Sequence, residues 1–60
     1  MKQFTDSEIF KAVKRSIIEA DTCHPQYVCY MLEELYPELA EVITYSRVEE
    51  EIVRYEEEIQ

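Results

Sequence analysis

Side chains with reactive or metal-binding chemistry are few: Cys23, His24 and Cys29 are the only cysteine and histidine side chains in the sequence. A structural zinc site takes four ligands, usually as closely spaced pairs of cysteine or histidine. Three ligands without that pairing fit small buried thiols and a histidine at a helix start better than a metal centre. Pooling ligands across a dimer would supply enough of them, but nothing in the spacing asks for it. Neither a metal nor any other cofactor is expected. A cysteine nucleophile needs a base that a third group orients, brought together from distant parts of a fold. The adjacent Cys23 and His24 do not supply this. Phosphate cradles and nucleophile elbows are built on glycine, and the chain has none. A catalytic carboxylate pair needs a pocket that drives two pKa values apart, and a chain of 60 residues rarely encloses one. The chain is therefore not expected to be an enzyme.

Three other groups of residues bear on binding. Lys11, Lys14 and Arg15 form a basic patch that suits phosphate contacts in a helix-turn-helix-like regulator, or simply a solvated helix face. With a sequence pI near 4.4, the solvated face is the better reading and nucleic acid is disfavoured. The run Glu49, Glu50, Glu51 followed by Tyr55, Glu56, Glu57 and Glu58 is the most unusual segment. Charge runs are usually the solvated face of a helix, and an acidic surface also attracts a basic protein partner. The five tyrosines, Tyr27, Tyr30, Tyr36, Tyr45 and Tyr55, are too many for so small a core. Tyrosine is enriched where one end of the ring is buried and the other is wet, as at interfaces.

The charge is unevenly placed. Residues 1–30 carry Lys2, Lys11, Lys14 and Arg15 against Asp6, Glu8, Glu19 and Asp21, which cancel. Residues 31–60 carry Arg47 and Arg54 against ten glutamates, so the whole net charge of −8 lies in this half. Such a surface repels phosphate backbones and anionic lipid. No stretch is apolar enough to span a membrane, and acids stand where a signal peptide would have its apolar run. These features lead to the expectation of a cytoplasmic chain with free cysteines.

Glycine and asparagine are absent, which removes the usual hairpin-turn residues and leaves an all-α chain. Thr5-Asp6-Ser7-Glu8 reads as a capping box, with Phe4 and Ile9 as a hydrophobic staple. Ile9, Phe10, Val13 and Ile17 then recur at helical spacing. Asp21-Thr22-Cys23-His24-Pro25 is a break, with Thr22 or His24 capping a second helix that opens at Pro25. Tyr36-Pro37 either breaks the chain again or kinks one helix; a break with almost no loop is preferred. The expected helices span about 6–20, 25–36 and 37–59, in one domain over 1–60, as a small bundle or open array with a long C-terminal helix. The expected core is Phe4, Ile9, Phe10, Val13, Ile17, Val28, Met31, Leu32, Leu35, Leu39, Val42 and Ile43. Beyond it, Tyr45, Val48, Ile52, Tyr55 and Ile59 alternate by three and four, a short heptad-like seam. On a helix running from Pro37 nearly to the end, that seam outreaches its neighbours and points to self-association as a dimer.

The compact start MKQFTDSEIFKAVKRS, the small size and the Glu-rich tail resemble the small early proteins of lambdoid bacteriophages, such as those encoded between the exonuclease and excisionase genes of phage lambda. No motif carries a site residue across. The resemblance implies an early protein in the host cytoplasm that binds a host or phage protein to alter host physiology or the lysis–lysogeny choice. From the residues themselves, the expectation is an acidic protein-interaction module for a basic partner. The alternative is a small DNA-binding regulator that uses the first helix.

Overall fold

A computed structural model describes residues 3–59 and shows an all-α fold of four helices: α1 (Asp6–Ala20), α2 (Pro25–Leu35), α3 (Pro37–Val42) and α4 (Tyr45–Glu58). The ends of the expected 1–60 domain, residues 1, 2 and 60, lie outside the described residues.

The start of α1 forms as its sequence dictates. The Glu8 backbone N–H donates to Thr5 Oγ1 at 3.1 Å, and the Thr5 N–H donates to Glu8 Oε1 at 2.9 Å. Two donors that helix geometry leaves without partners are thereby satisfied. α1 ends on Asp21 at φ 56°, ψ 37°, the left-handed conformation that glycine normally supplies. Aspartate tolerates it better than most residues. The Asp21 N–H donates to the Ile17 and Ile18 carbonyls, closing the last turn.

Thr22 and His24 share the start of α2. The Thr22 hydroxyl oxygen accepts from the His24 N–H at 3.1 Å, and His24 Nδ1 accepts from the Gln26 N–H at 3.3 Å. Pro25 then occupies the first turn, where its missing N–H costs nothing. At Tyr36 the chain breaks with no loop at all, and Pro37 opens α3.

The expected helix over 37–59 is two helices. Ile43 and Thr44 are extended, at φ −82°, ψ 144° and φ −93°, ψ 156°. Thr44 Oγ1 accepts from the Arg47 N–H at 3.1 Å and so caps α4. A threonine hydroxyl competes for backbone partners, and two β-branched residues in a row favour extended backbone. The larger reason is tertiary. The break turns α4 back onto α1 and α2, which buries apolar side chains that a straight helix would leave in water.

The core follows from that turn. Ala12, Val13 and Ile17 of α1 meet Val28 and Leu32 of α2, Leu39 of α3, and Val48 and Ile52 of α4. Phe4, Ile9 and Ile43 pack against this cluster half-buried, and Phe10 is buried beside it. Met31 and Leu35 are only half-buried. Val42 departs from expectation: it is 57% exposed, because α3 ends at that residue and the next one leaves helical geometry. Ser16 is fully buried, and its hydroxyl donates to the Ala12 carbonyl at 2.9 Å. The small pair Ala12 and Ser16 lets α1 be approached closely without a stranded polar group.

Candidate protein-binding surface

The arrangement of charge begins with Glu51. Glu49 and Glu50 before it are exposed, but Glu51 itself is 4% exposed. Arg47 Nε donates to Glu51 Oε2 at 2.8 Å, and Arg54 Nη1 lies 3.5 Å from Glu51 Oε1. Both arginines also reach Asp6 in the first turn of α1: Arg47 through Nη2, and Arg54 through Nη1 at 3.2 Å. The Arg47 guanidinium is pushed above its ordinary pKa, first by the hydrogen bond to Glu51, with the charges of Glu51, Asp6 and Glu50 adding and burial opposing. Arg54 further lies over the Phe10 ring, 4.4 Å from its centroid, and Lys14 Nζ stands 5.4 Å from the same centroid. Lys14 also pairs with Glu58 at 3.3 Å. These contacts fasten α4 along α1, charge against charge, with two cations near one aromatic ring.

This fastening sorts the acidic run into two groups. Glu51 is an internal ligand of two arginines and does not belong to the outward acidic face on which its sequence position placed it. Glu58 is exposed but paired with Lys14. Tyr55 is half-buried against the core. Glu49, Glu50, Glu56 and Glu57 remain exposed. At spacings of one, four, seven and eight along α4, Glu49, Glu50, Val53, Glu56 and Glu57 share one helical face. Val53 at its centre is 54% exposed. An exposed apolar residue within a ring of charge has the layout of a small binding patch: an anchor with a polar rim. The sequence held the signal for Val53, since it lies four residues after Glu49, but it was hidden among the apolar residues of the heptad-like seam.

That seam is divided. Val48 and Ile52 are 1% and 4% exposed and belong to the chain's own core. Tyr45 and Ile59 are exposed, at 52% and 64%. The expected self-association surface of Tyr45, Val48, Ile52, Tyr55 and Ile59 is therefore not a continuous free stripe. Its premise was a long helix outreaching its neighbours, and the turn at Ile43-Thr44 removes that premise.

On α1, Lys11 and Arg15 are exposed, whereas Lys14 is half-buried and engaged by Glu58 and Phe10. The expected three-residue phosphate patch is reduced to two unengaged positions. Cys23 and Cys29 are free, half-buried thiols. Burial pushes the Cys29 thiol pKa up, and the charges of Glu33 and Glu49 add to the shift. Among the described residues, no group of three or more His, Cys, Asp or Glu side chains is placed to hold a metal ion, and no helix is long and apolar enough to cross a membrane.

A second feature lies on the opposite flank of α2 from Cys29. An open groove of about 660 Å³ runs between the end of α1 and α2, lined by Ala20, Thr22, Tyr27, Tyr30, Met31 and Glu34. Tyr27 and Tyr30 are 57% and 67% exposed, and the Tyr27 ring leans on His24 with centroids 5.2 Å apart. Comparison with known proteins returns no matching family model, no matching curated protein and no matching solved structure.

Proposed function

We propose that the chain is a protein-interaction module that offers the outer face of α4, Glu49, Glu50, Val53, Glu56 and Glu57, to a basic protein surface. The observation that carries this reading is the engagement of both α4 arginines by Asp6 and Glu51. Arg47 feels the charge of Glu50 as well, but among the described residues Glu49, Glu56 and Glu57 make no ion pair. An uncompensated charged face steers oppositely charged partners and speeds encounter more than it adds affinity. Val53 supplies the apolar contact that charge alone does not. If the chain belongs with the small phage early proteins that it resembles, the partner is a host or phage protein.

The test replaces Glu49, Glu50, Glu56 and Glu57 by glutamine and leaves Glu51 and Glu58 in place. Partners captured from a bacterial lysate by the original chain should then be lost, or should associate roughly tenfold more slowly at low salt. Binding by the original chain should weaken as salt rises. If the variant keeps its partners at unchanged rates, or if the original chain retards duplex DNA at physiological salt, the regulator that uses Lys11 and Arg15 takes precedence.

A further inference from the structure

The groove between α1 and α2 lies in the most one-sided part of the chain. Residues 16–46 hold six carboxylates (Glu19, Asp21, Glu33, Glu34, Glu38 and Glu41) and no lysine or arginine. The groove has an acid, Glu34, among its lining residues, and among the described residues no lysine or arginine pairs with it. Its other lining is chiefly apolar or aromatic. Ala20 and Met31 are half-buried, and the Tyr27 and Tyr30 rings are more than half exposed. Two tyrosines three apart on one side of α2 are not needed by the core, which α2 serves through Val28 and Leu32. The volume, about 660 Å³, suits one long side chain with some flanking backbone.

We infer that this groove receives an arginine side chain of the basic partner, with the guanidinium stacked on Tyr27 or Tyr30 and paired with Glu34. Three features of the lining select arginine. Its planar guanidinium stacks on an aromatic face. The same group meets a carboxylate through two parallel hydrogen bonds. Its methylene stem lies along apolar surface, here Met31 and Ala20, while the head stays near water. Lysine shares the charge and the stem but not the planar fork, so it gains less from the tyrosine rings. The inference rests on the reading of the chain as a module for a basic partner and names the side chain that the partner supplies. It adds a site on α2 that distinguishes arginine from lysine, which the α4 face does not.

The experiment uses the full chain, isotopically labelled for amide spectra, and two short blocked peptides that alternate alanine with arginine or with lysine. The arginine peptide should bind about two- to fivefold more tightly than the lysine peptide, the range expected of cation–π stacking at an exposed site. Its amide shifts should include Tyr27, Tyr30, Met31 and Glu34. Tyr30→Ser and Glu34→Gln alter exposed side chains outside the core, and each should reduce the arginine preference while leaving the binding that the α4 face contributes. Equal binding of the two peptides overturns the groove assignment. Shifts confined to Glu49, Glu50, Val53, Glu56 and Glu57 overturn it too, but leave the α4 reading standing. Absence of any shift from either peptide removes both.

Discussion

Replacing Ile52 by alanine separates a folded-back α4 from a free seam. Ile52 is 4% exposed and packs in the cluster with Val13, Val28 and Leu32. The change removes three carbon groups, about 2.4 kcal/mol at roughly 0.8 kcal/mol each. A residual cavity adds to this, and buried Ile→Ala changes fall at about 2–5 kcal/mol. A loss near 3 kcal/mol is expected. At about 0.05–0.15 kcal/mol per residue, a chain of 60 residues has only about 3–9 kcal/mol of stability in all. The substitution therefore removes a third or more of it. With a urea dependence near 1 kcal/mol/M, the low end for small proteins, the midpoint should fall by about 3 M. The assay is urea unfolding followed by helical circular dichroism at two protein concentrations. An unfolding midpoint that does not depend on protein concentration, and that falls by this amount in the variant, fits a side chain buried within one chain. A loss below about 1 kcal/mol, joined to dissociation of a dimer in sedimentation, would show that Ile52 faces another copy and would refute the reasoning.

Thr44→Ala should cost about 1 kcal/mol by removing the cap of α4, read as a lower urea midpoint with an unchanged slope. Asp21→Gly should raise stability by up to about 1 kcal/mol, since glycine takes the left-handed C-cap without the side-chain penalty; a lower midpoint would contradict this. Glu51→Ala should destabilise more than Glu50→Ala, because it leaves Arg47 and Arg54 with Asp6 alone; equal effects in thermal melts would place Glu51 on the surface. Burial, then Glu33 and Glu49, raises the Cys29 thiol pKa, so the folded state holds this proton longer than the unfolded chain. Its contribution to stability is full below the ordinary thiol pKa and is lost as pH rises through the raised one. Alkylation of Cys29 in a Cys23→Ser background should therefore need higher pH in the folded chain than in urea, and Glu33→Gln with Glu49→Gln should shift the folded profile downward. Coincident folded and unfolded profiles would count against that environment.

The starts of α1, α2 and α3 were legible because their signals are local. Thr5 and Glu8 lie within one turn, and Pro25 and Pro37 fix backbone angles whatever the rest of the chain does. The break at Ile43-Thr44 was not legible. It contains no proline or glycine, and Arg47 stands where a capping box would carry glutamate or glutamine. What decides it is the burial of Val48 and Ile52 against side chains 20 or more positions earlier (Val28, Val13), a non-local gain that a periodicity reading cannot weigh. The same turn explains the divided acidic run. The sequence places Glu51 level with Glu49 and Glu50, and only docking of α4 on α1 brings Asp6 to the two arginines that enclose it. Val42 shows the reverse error: its spacing continued the apolar pattern, but the helix that would have buried it ends there. The basic patch lost Lys14 for the same reason, because Glu58, 44 positions away, reaches it.

The most direct test of the proposed acidic face is the footprint of a captured basic partner on the labelled chain, mapped by amide shifts or cross-saturation. Glu49, Glu50, Val53, Glu56 and Glu57 should respond together, with Glu51 and Ile52 shielded beneath them. A footprint centred on Lys11 and Arg15, or one on Tyr45 and Ile59 that appears only as the chain self-associates, would contradict it.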